Sequence, residues 1–245
     1  MKKFFSIYNI LIMVLALVFA FSAFMLVRSI VIGKKEQNKF EDIKELVIEV
    51  EREVAEGEPE PEKVRDISAV LAANNECIGW IHIDGTIIDY PVMHTPIVPE
   101  KYLHANFEGK YSYSGTPFMD ARCKKDSTNT ILYGHNMKNG TMFNQLRWYR
   151  SKEHLDKYPY IEYQTADGVR KFRIFAVALI PANDKWYSFI EADTESAYNN
   201  RLQYLKSIQY YNSGVAAPTY PQKLITLSTC SGEGRYIVVG YEVEE

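Results

Sequence analysis

The sequence has few cysteines and no dense cluster of basic residues. Its three cysteines, Cys77, Cys123 and Cys230, show no C-x-x-C spacing and no pairing with histidines of the zinc-site type. That arrangement argues against a thioredoxin-like redox centre and against a structural zinc site. The net charge is −3 and the isoelectric point is near 6.0, so nucleic acid is not expected as a partner.

Internal repeats and low-complexity tracts are also missing from the sequence. Four of the five histidines are scattered along the chain without the spacing of a metal site, namely His82, His94, His104 and His154. We therefore expect neither a metal nor a cofactor. Cys77 and Cys123 are interpreted as unpaired structural thiols, and a disulfide between them is the alternative if the domain is extracellular.

Residues 4–27 contain no charged side chain and consist mostly of Leu, Ile, Val, Phe, Ala and Met. About 20 apolar residues span the hydrocarbon core of a bilayer, so this stretch predicts a transmembrane anchor within residues 1–33. A cleaved signal peptide is the alternative, since residues 20–22 resemble a cleavage site. The apolar run continues to Val27, however, and is longer than a usual signal region. Basic residues on both sides leave the orientation open.

Residues 34–66 form a connector with an excess of acidic side chains. Its apolar residues recur at helical spacing: Phe40, Ile43, Leu46, Val47, Val50 and Val54. This periodicity predicts an amphipathic helix over residues 35–55, ended by Gly and Pro at residues 57–61. The helix is either a solvated stalk or packs its apolar stripe against the following domain.

From residue 67 to residue 245 the pattern is mainly β. Strands are predicted at residues 78–83, 87–92, 130–133, 160–165, 170–179, 223–229 and 236–242, and helices at 141–152 and 194–209. Many short strands joined by Gly-rich turns are typical of a β-barrel. We therefore predict a single mainly β domain with a closed barrel.

The segment TLSTC at residues 226–230 is an apolar, β-branched strand that ends in a thiol. A second strand begins directly after Arg235. A cation on a neighbouring strand favours the thiolate, which is the reactive form of Cys230. The alternative is that Cys230 is an ordinary buried thiol.

The segment LYGHNM at residues 132–137 is another short strand that ends in a reactive residue. Gly134 permits close backbone approach, and His135 stands where a loop leaves the strand, a common place for functional side chains. Of the five histidines, only His135 follows a glycine at the end of a strand. His135 and Cys230 are therefore the main candidates for catalysis.

Together, TLSTC, the later Arg235 and LYGHNM give the chain a strong resemblance to the sortases, and class B fits best. The segments NECIGWI at 75–81, DGTIIDYPV at 84–92 and KNGTMF at 138–143 also match that class. The matching segments cover roughly residues 65–243 in the family's order. The loop between Cys230 and Arg235 is shorter than usual, and Cys123 stands where Asn is more usual.

The resemblance implies a sortase-type closed barrel of about eight strands, with N-terminal helices and an insertion helix before the Cys strand. It further implies a cysteine transpeptidase of Gram-positive cell surfaces. Cys230 would attack a Thr carbonyl in the C-terminal sorting signal of a secreted protein, and His135 would exchange protons. Arg235 would stabilise the oxyanion, and an amine of a peptidoglycan precursor would accept the acyl group. The N-terminus would be cytoplasmic, with the catalytic domain outside.

Weaker candidates surround the three main residues. Tyr133, Asn136 and Ser228 are interpreted as lining for a peptide groove, and Thr229 and Ser231 flank the nucleophile, where a backbone N–H can add to the oxyanion site. Each of these residues also fits a structural role. The alternatives for the whole chain are a cysteine peptidase that passes the acyl group to water, a pilin-polymerising sortase, and a membrane-tethered binding module with an inert Cys230.

Overall fold

The computed structural model describes residues 7–51, 63–232 and 234–244. The chain divides into two compact units, Met1–Glu41 and Asp42–Glu245. The helix α1, Ile7–Lys44, begins in the first unit. Its apolar part is long enough, and apolar enough, to cross a membrane, and it lies near the N-terminus. Helix α1 is therefore a candidate membrane-spanning helix, in agreement with the sequence.

The connector differs from its predicted form. The helix ends at Lys44, and the chain then forms strand β1, Ile48–Glu51, which pairs antiparallel with β2, Lys63–Asp66. The prediction of a helix through residue 55 is therefore wrong from residue 45 to residue 51, and its last residues lie outside the described part. Ile48 and Val50 are two residues apart and β-branched, so they suit a strand as well as a helix. The helical spacing of the apolar residues therefore did not decide between the two. Ile43 and Val47 of the predicted stripe do pack against the core.

The second unit is built around a closed barrel of eight strands, in the order β10-β8-β7-β3-β4-β5-β6-β9. Its strands are β3 Cys77–His82, β4 Asp89–Met93, β5 Phe118–Met119, β6 Asn129–Tyr133, β7 Tyr160–Thr165, β8 Gly168–Pro181, β9 Leu224–Ser231 and β10 Gly234–Val243. The pairs β4–β5 and β6–β9 are parallel, and the other neighbours are antiparallel. The predicted mainly β closed barrel is confirmed.

The described part of the second unit also contains the α-helices α2 Ser68–Ala73, α3 Lys152–Lys157 and α4 Glu195–Ile208. Helix α4 lies in the long connection between β8 and β9, where the insertion helix was expected, and Tyr198, Leu202 and Leu205 form its buried face. Residues 143–150, predicted as α-helical, form a 3-10 helix instead. Shorter 3-10 segments lie at Lys101–Leu103 and Lys185–Ser188.

The barrel strands bury nearly continuous runs of side chains: residues 129–132 of β6, 224–229 of β9 and 236–240 of β10 are all buried. The fully buried apolar side chains include Ile81, Ile131, Phe172, Leu227 and Ile237. Cys77 and Cys123 belong to the buried residues and are free thiols. Burial raises the pKa of Cys77 to about 11 and that of Cys123 to about 12. The alternative of a disulfide between them is therefore wrong in this structure.

Candidate active site

Cys230 and Arg235 face each other across the last hairpin of the barrel. Strand β9 ends at Ser231 and β10 begins at Gly234, and the register pairs Cys230 with Arg235. Gly232 has a φ of 58°, a left-handed conformation that glycine adopts without strain. The tight turn therefore places cation and thiol on the same face of the sheet, because directly opposed residues point the same way.

The side chains of this pair are in direct contact. Nη1 of Arg235 donates a hydrogen bond to Sγ of Cys230. Cys230 is exposed, whereas Cys77 and Cys123 are buried. A guanidinium is always charged near neutral pH, and one in direct contact with a thiol favours the thiolate form. Of the three thiols, Cys230 is the one that both solvent and a cation can reach.

His135 follows the end of β6, which pairs in parallel with β9 as far as Tyr133 and Ser228. The next residue, Gly134, packs against the ring of Phe143, and a Cβ atom there would lie 2.5 Å from Cγ of that ring. Phe143 in turn donates its backbone N–H to the His135 carbonyl at 2.9 Å. Glycine is required here because the chain passes over an aromatic ring as it leaves the sheet.

The ring of His135 is held by the loop before β5. Nε2 lies 2.8 Å from the carbonyl oxygen of Leu103. A carbonyl oxygen can only accept, so Nε2 carries a proton in this arrangement. Nδ1 is therefore the ring nitrogen left to take up and release a proton.

The surroundings of His135 disfavour its charged form. Burial of the ring lowers the pKa of His135, and the positive charges of His104 and Arg235 lower it further, while the hydrogen bond to Leu103 opposes them. The rings of His104 and His135 lie 5.6 Å apart, and His104 also stacks on Tyr111 at 6.5 Å. An imidazolium at this site is consequently a stronger acid than a free one.

His135, Cys230 and Arg235 line one cleft, which has a volume of about 460 Å³. The cleft is also lined by Pro99, Glu100, Leu103, Phe118, Asp120, Ala121, Arg122, Tyr133, Gly134, Ala182, Tyr187, Ser228 and Thr229. Its size suits a peptide segment or a comparable ligand. The structure thus brings together the three residues that the sequence singled out from distant parts of the chain.

Tyr133 and Ser228 are part of this cleft but are tied into its wall. The Tyr133 hydroxyl donates to Oδ2 of Asp120 at 2.8 Å, and burial together with that carboxylate raises its pKa, so it remains a donor. Ser228 is buried and shares a hydrogen bond of 2.8 Å with the hydroxyl of Tyr187. Asp120 is further bound by Arg122 at 2.7 Å. These bonds stiffen the wall of the cleft beside Cys230.

The remaining predicted residues lie in different places. Thr229 lines the cleft, but its buried Oγ1 has no hydrogen-bond partner among the described residues. Ser231 pairs with Gly234 at the end of the hairpin. Asn136 donates from Nδ2 to the carbonyl oxygen of Cys230 at 2.6 Å, so its amide is already engaged with the protein.

Sequence reasoning missed several cleft residues. Leu103, Asp120, Arg122 and Tyr187 come from loops or short elements that show no periodicity and no motif for a site. All four lie within the stretch that the family resemblance covers, but none of them belongs to a motif that marks a site. Among the described residues no group of three or more His, Cys, Asp or Glu side chains is arranged to hold a metal ion.

Comparison with known proteins places this cleft in context. A family model for the sortase domain matches residues 81–243. Sortase B of Listeria monocytogenes is 33% identical over 186 residues, covering 73% of this chain and 73% of that protein. Sortase B of Staphylococcus aureus is 28% identical over 233 residues, covering 94% of this chain and 91% of that protein.

Solved structures agree with these relatives. The structure of Listeria monocytogenes sortase B matches with a TM-score of 0.64 at 34% identity, over 70% of this chain and 98% of that one. A Staphylococcus aureus sortase B–substrate complex matches with a TM-score of 0.67 at 28% identity, over 73% of this chain and 84% of that one. The chain therefore belongs to the sortase family of cysteine transpeptidases, and its relatives place it in class B.

Proposed function

We propose that this sortase is anchored in the cell membrane and cleaves the C-terminal sorting signal of secreted proteins at a Thr residue. It then transfers the acyl group, through a thioester on Cys230, to an amine of a peptidoglycan precursor. The contact between Arg235 and Cys230, in a cleft that His135 also lines, is the observation that carries this proposal. It combines a nucleophile, a fixed cation and a proton carrier at one place.

In the first half of the reaction, the Cys230 thiolate attacks the carbonyl carbon of the substrate Thr. The C–N bond breaks, and the imidazolium of His135 gives its Nδ1 proton to the leaving amine. The surroundings that lower the pKa of His135 favour this release. A thioester between Thr and Cys230 remains, and the cleaved signal departs.

In the second half, an incoming amine attacks the thioester. Its proton passes to Nδ1 of His135, a new C–N bond forms and the C–S bond breaks, which regenerates the thiolate. Negative charge develops on the Thr carbonyl oxygen in both halves, and the guanidinium of Arg235 is placed to stabilise it. Because the guanidinium already contacts Sγ, little movement is needed to reach the oxygen bound to the adjacent carbon.

The cleft wall supplies the peptide groove in this proposal. Tyr133 and Ser228 present surfaces that are fixed by Asp120 and Tyr187, and Thr229 and Ser231 flank the nucleophile. A backbone N–H near Cys230 adds to the oxyanion site. The apolar helix α1 would anchor the enzyme with its N-terminus in the cytoplasm and the catalytic unit outside, which fits a substrate that has been secreted.

The test uses the full chain purified in detergent and a panel of quenched fluorescent sorting peptides of the Asn-Pro-x-Thr and Pro-x-Thr-Gly types. Mass spectrometry identifies the cleaved bond, with and without an added amine. Cleavage after Thr and an amine adduct support the proposal, whereas hydrolysis that no amine diverts indicates a peptidase. Cys230→Ala must abolish both products, while Cys77→Ala serves as the matched control. Retained turnover in Cys230→Ala would refute the proposal.

A further inference from the structure

Both polar atoms of the Asn136 side-chain amide form hydrogen bonds within the protein. Nδ2 donates to the backbone carbonyl of Cys230 at 2.6 Å, and Oδ1 accepts from Nδ2 of Asn144 at 2.6 Å. Asn144 belongs to the 3-10 helix Phe143–Arg150 and is buried, with 4% of its surface exposed. A chain of two hydrogen bonds thus runs from the interior to the backbone of the proposed nucleophile.

The direction of this chain is fixed by its last member. A backbone carbonyl can only accept, so the Asn136 atom that faces Cys230 must be the amide nitrogen. Oδ1 of Asn136 must then accept, and Asn144 must donate. Oδ1 of Asn144 is buried and has no hydrogen-bond partner among the described residues. An unpaired buried amide oxygen is costly, so what Asn144 contributes to this chain of hydrogen bonds is the donor Nδ2.

The bond from Asn136 continues the ladder between β6 and β9 beyond the point where β6 ends. The last backbone bond of this pair runs from the N–H of Gly134 to the carbonyl of Ser228 at 3.1 Å. Two residues further on both chains, the side chain of Asn136 reaches the carbonyl of Cys230. A side-chain amide therefore takes the place of a backbone donor, because the chain must turn at Gly134 and His135 to form the cleft.

This bond also bears on the Cys230–Arg235 pair. The carbonyl of Cys230 faces Asn136, hence away from β10, so Cys230 and Arg235 occupy a non-hydrogen-bonded position of the antiparallel ladder. Facing side chains are closest at such positions. Cys230 is thus held from the β6 side by Asn136 and meets Arg235 on the β10 side.

We propose that Asn136 is a positioning residue, which fixes the backbone of Cys230 at the end of β9, and that Asn144 orients its amide. This inference rests on the proposed role of Cys230 as the nucleophile. It replaces the expectation that Asn136 lines the peptide groove. Loss of the bond should lower kcat and leave KM nearly unchanged, because Asn136 is not among the described residues that line the cleft.

The first measurement compares kcat and KM of Asn136→Ala with the unaltered full chain in detergent. A misplacement of about 1 Å costs on the order of 10²-fold in rate, so we expect a loss in kcat of roughly 10- to 100-fold. The matched control is Asn139→Ala in the same loop, whose amide oxygen accepts from the backbone N–H and the hydroxyl of Thr141. Alkylation of Cys230 by iodoacetamide should slow in Asn136→Ala and stay unchanged in the control.

The second variant, Asn136→Asp, keeps the shape but removes the donor. Its carboxylate would repel the Cys230 carbonyl, and only the protonated acid could donate to it. Its activity relative to the unaltered enzyme should therefore rise as the pH falls. The ratio is taken at each pH, so that any pH dependence common to both enzymes is removed from the comparison.

The outcomes separate this inference from the proposed function. Asn136→Ala within twofold of the unaltered enzyme in kcat, or a loss confined to KM, would overturn the positioning role while Cys230→Ala remained inactive. Activity retained in Cys230→Ala would instead overturn the proposed function itself. Thermal unfolding identifies a fold defect, and in that case the pH-dependent ratio of the isosteric Asn136→Asp decides.

Discussion

Arg235 stands directly opposite Cys230 in the β9–β10 ladder, and its guanidinium donates to the thiol sulfur. The short connection between the two residues, a departure from the usual family pattern, is what sets this register. Gly234 opens β10 where an added Cβ would lie 2.8 Å from the carbonyl oxygen of Ile180, so the neighbouring strand packs closely there. The tight hairpin is therefore compatible with Arg235 acting on Cys230.

The first prediction concerns the geometry of Arg235. Arg235→Lys should be damaging although the charge is retained, because lysine cannot reproduce the planar fork of donors. Loss of one oxyanion donor costs about 10²–10³-fold in turnover, or about 3–4 kcal/mol. The measurement is kcat/KM on a cleaved peptide, with circular dichroism to verify folding. Arg201→Lys on α4, outside the cleft, is the control and should change little.

A small loss of activity on removing the Arg235 side chain would mean that another group stabilises the oxyanion. If Arg235→Ala folds normally and loses less than about tenfold in kcat/KM, or about 1.4 kcal/mol, Arg235 has no part in the transition state. Cys230 and His135 would keep their proposed roles in that case.

The second prediction concerns the three thiols. Iodoacetamide at pH 8 should label Cys230 in the native protein and leave Cys77 and Cys123 unmodified. Burial raises the pKa of these two thiols to about 11 and about 12, so at pH 8 they are both inaccessible and protonated. Peptide mapping by mass spectrometry provides the measurement, and the denatured protein, in which all three should react, provides the control. Native labelling of Cys77 or Cys123 at a comparable rate would contradict the structure.

Much of the fold was predictable because the barrel strands carry strong local signals. Tyr160–Thr165 was predicted with its observed bounds, and the strand that carries Cys230 and the strand that precedes His135 were placed within two residues. Strand β5, with two residues, is too short to show a period and was missed. The turn from α1 into β1 was missed as well, because its β-branched residues fit both patterns.

The site was predictable only in part. Cys230 and His135 follow apolar runs at the ends of strands, and Arg235 directly precedes one, so these three could be recognised. The Leu103 carbonyl that fixes the His135 ring is a backbone group, so the identity of residue 103 does not reveal this contact. Asn136 was recognised, but its partner Asn144 was not, because their contact depends on how residues 136–144 turn back toward β9.

The third prediction concerns the pH profile. The pH profile of kcat/KM should contain a limb that reports the titration of His135, whose pKa is lowered by burial and then by the charges of His104 and Arg235. The proposed mechanism uses His135 as an imidazolium, so the activity depends on this titration. Removing one like charge raises the pKa of His135, so His104→Gln should move this limb to higher pH.

The control for this profile keeps both the charge of His104 and its ring stack, and removes only a hydroxyl group. Tyr111→Phe retains the ring that stacks on His104 and should leave the limb in place. A limb that does not move in His104→Gln, or moves to lower pH, would show that His104 does not act on His135.

The fourth prediction concerns Asp89, which joins several parts of the second unit. Its Oδ1 accepts from Nη1 of Arg65 at 2.8 Å and from Nε1 of Trp80 at 2.7 Å, and lies 3.2 Å from Nδ1 of His82. Burial alone would raise the pKa of Asp89, but the hydrogen bonds from His82 and Trp80 and the charges of Arg65 and Lys44 hold it well below its usual range. The carboxylate thus stabilises the fold in its charged form.

A lowered pKa in the folded state stabilises the protein above the unfolded pKa, near 3.9, and this stabilisation is lost as the pH falls toward the folded value. Asp89→Asn should therefore lower the free energy of unfolding at pH 7 by about 2–3 kcal/mol, and by less as the pH approaches 2. Denaturant titrations across this range measure the difference. Asp84→Asn, at an exposed partner of His82, is the control, and a penalty for Asp89→Asn that does not depend on pH would contradict the argument.

The last prediction concerns where the catalytic unit begins. The sequence suggested residue 67, but the compact unit starts at Asp42. Ile43 and Val47 pack against the core cluster, Lys44 lies 3.5 Å from Oδ2 of Asp89, and Arg65 binds Oδ1 of the same carboxylate.

A chain that begins at Ile67 loses these contacts, whereas one that begins at Asp42 keeps them. Partial burial of two apolar side chains and the ion pairs to Asp89 together account for about 2–4 kcal/mol. For a unit of this size each kcal/mol shifts the melting temperature by about 2–4 °C. We therefore expect the shorter chain to melt roughly 5–15 °C lower by circular dichroism. A chain that begins at Asp42 and carries Ile43→Ala should melt between the two. Equal melting temperatures for the two truncated chains would show that residues 42–66 only connect the anchor to the barrel.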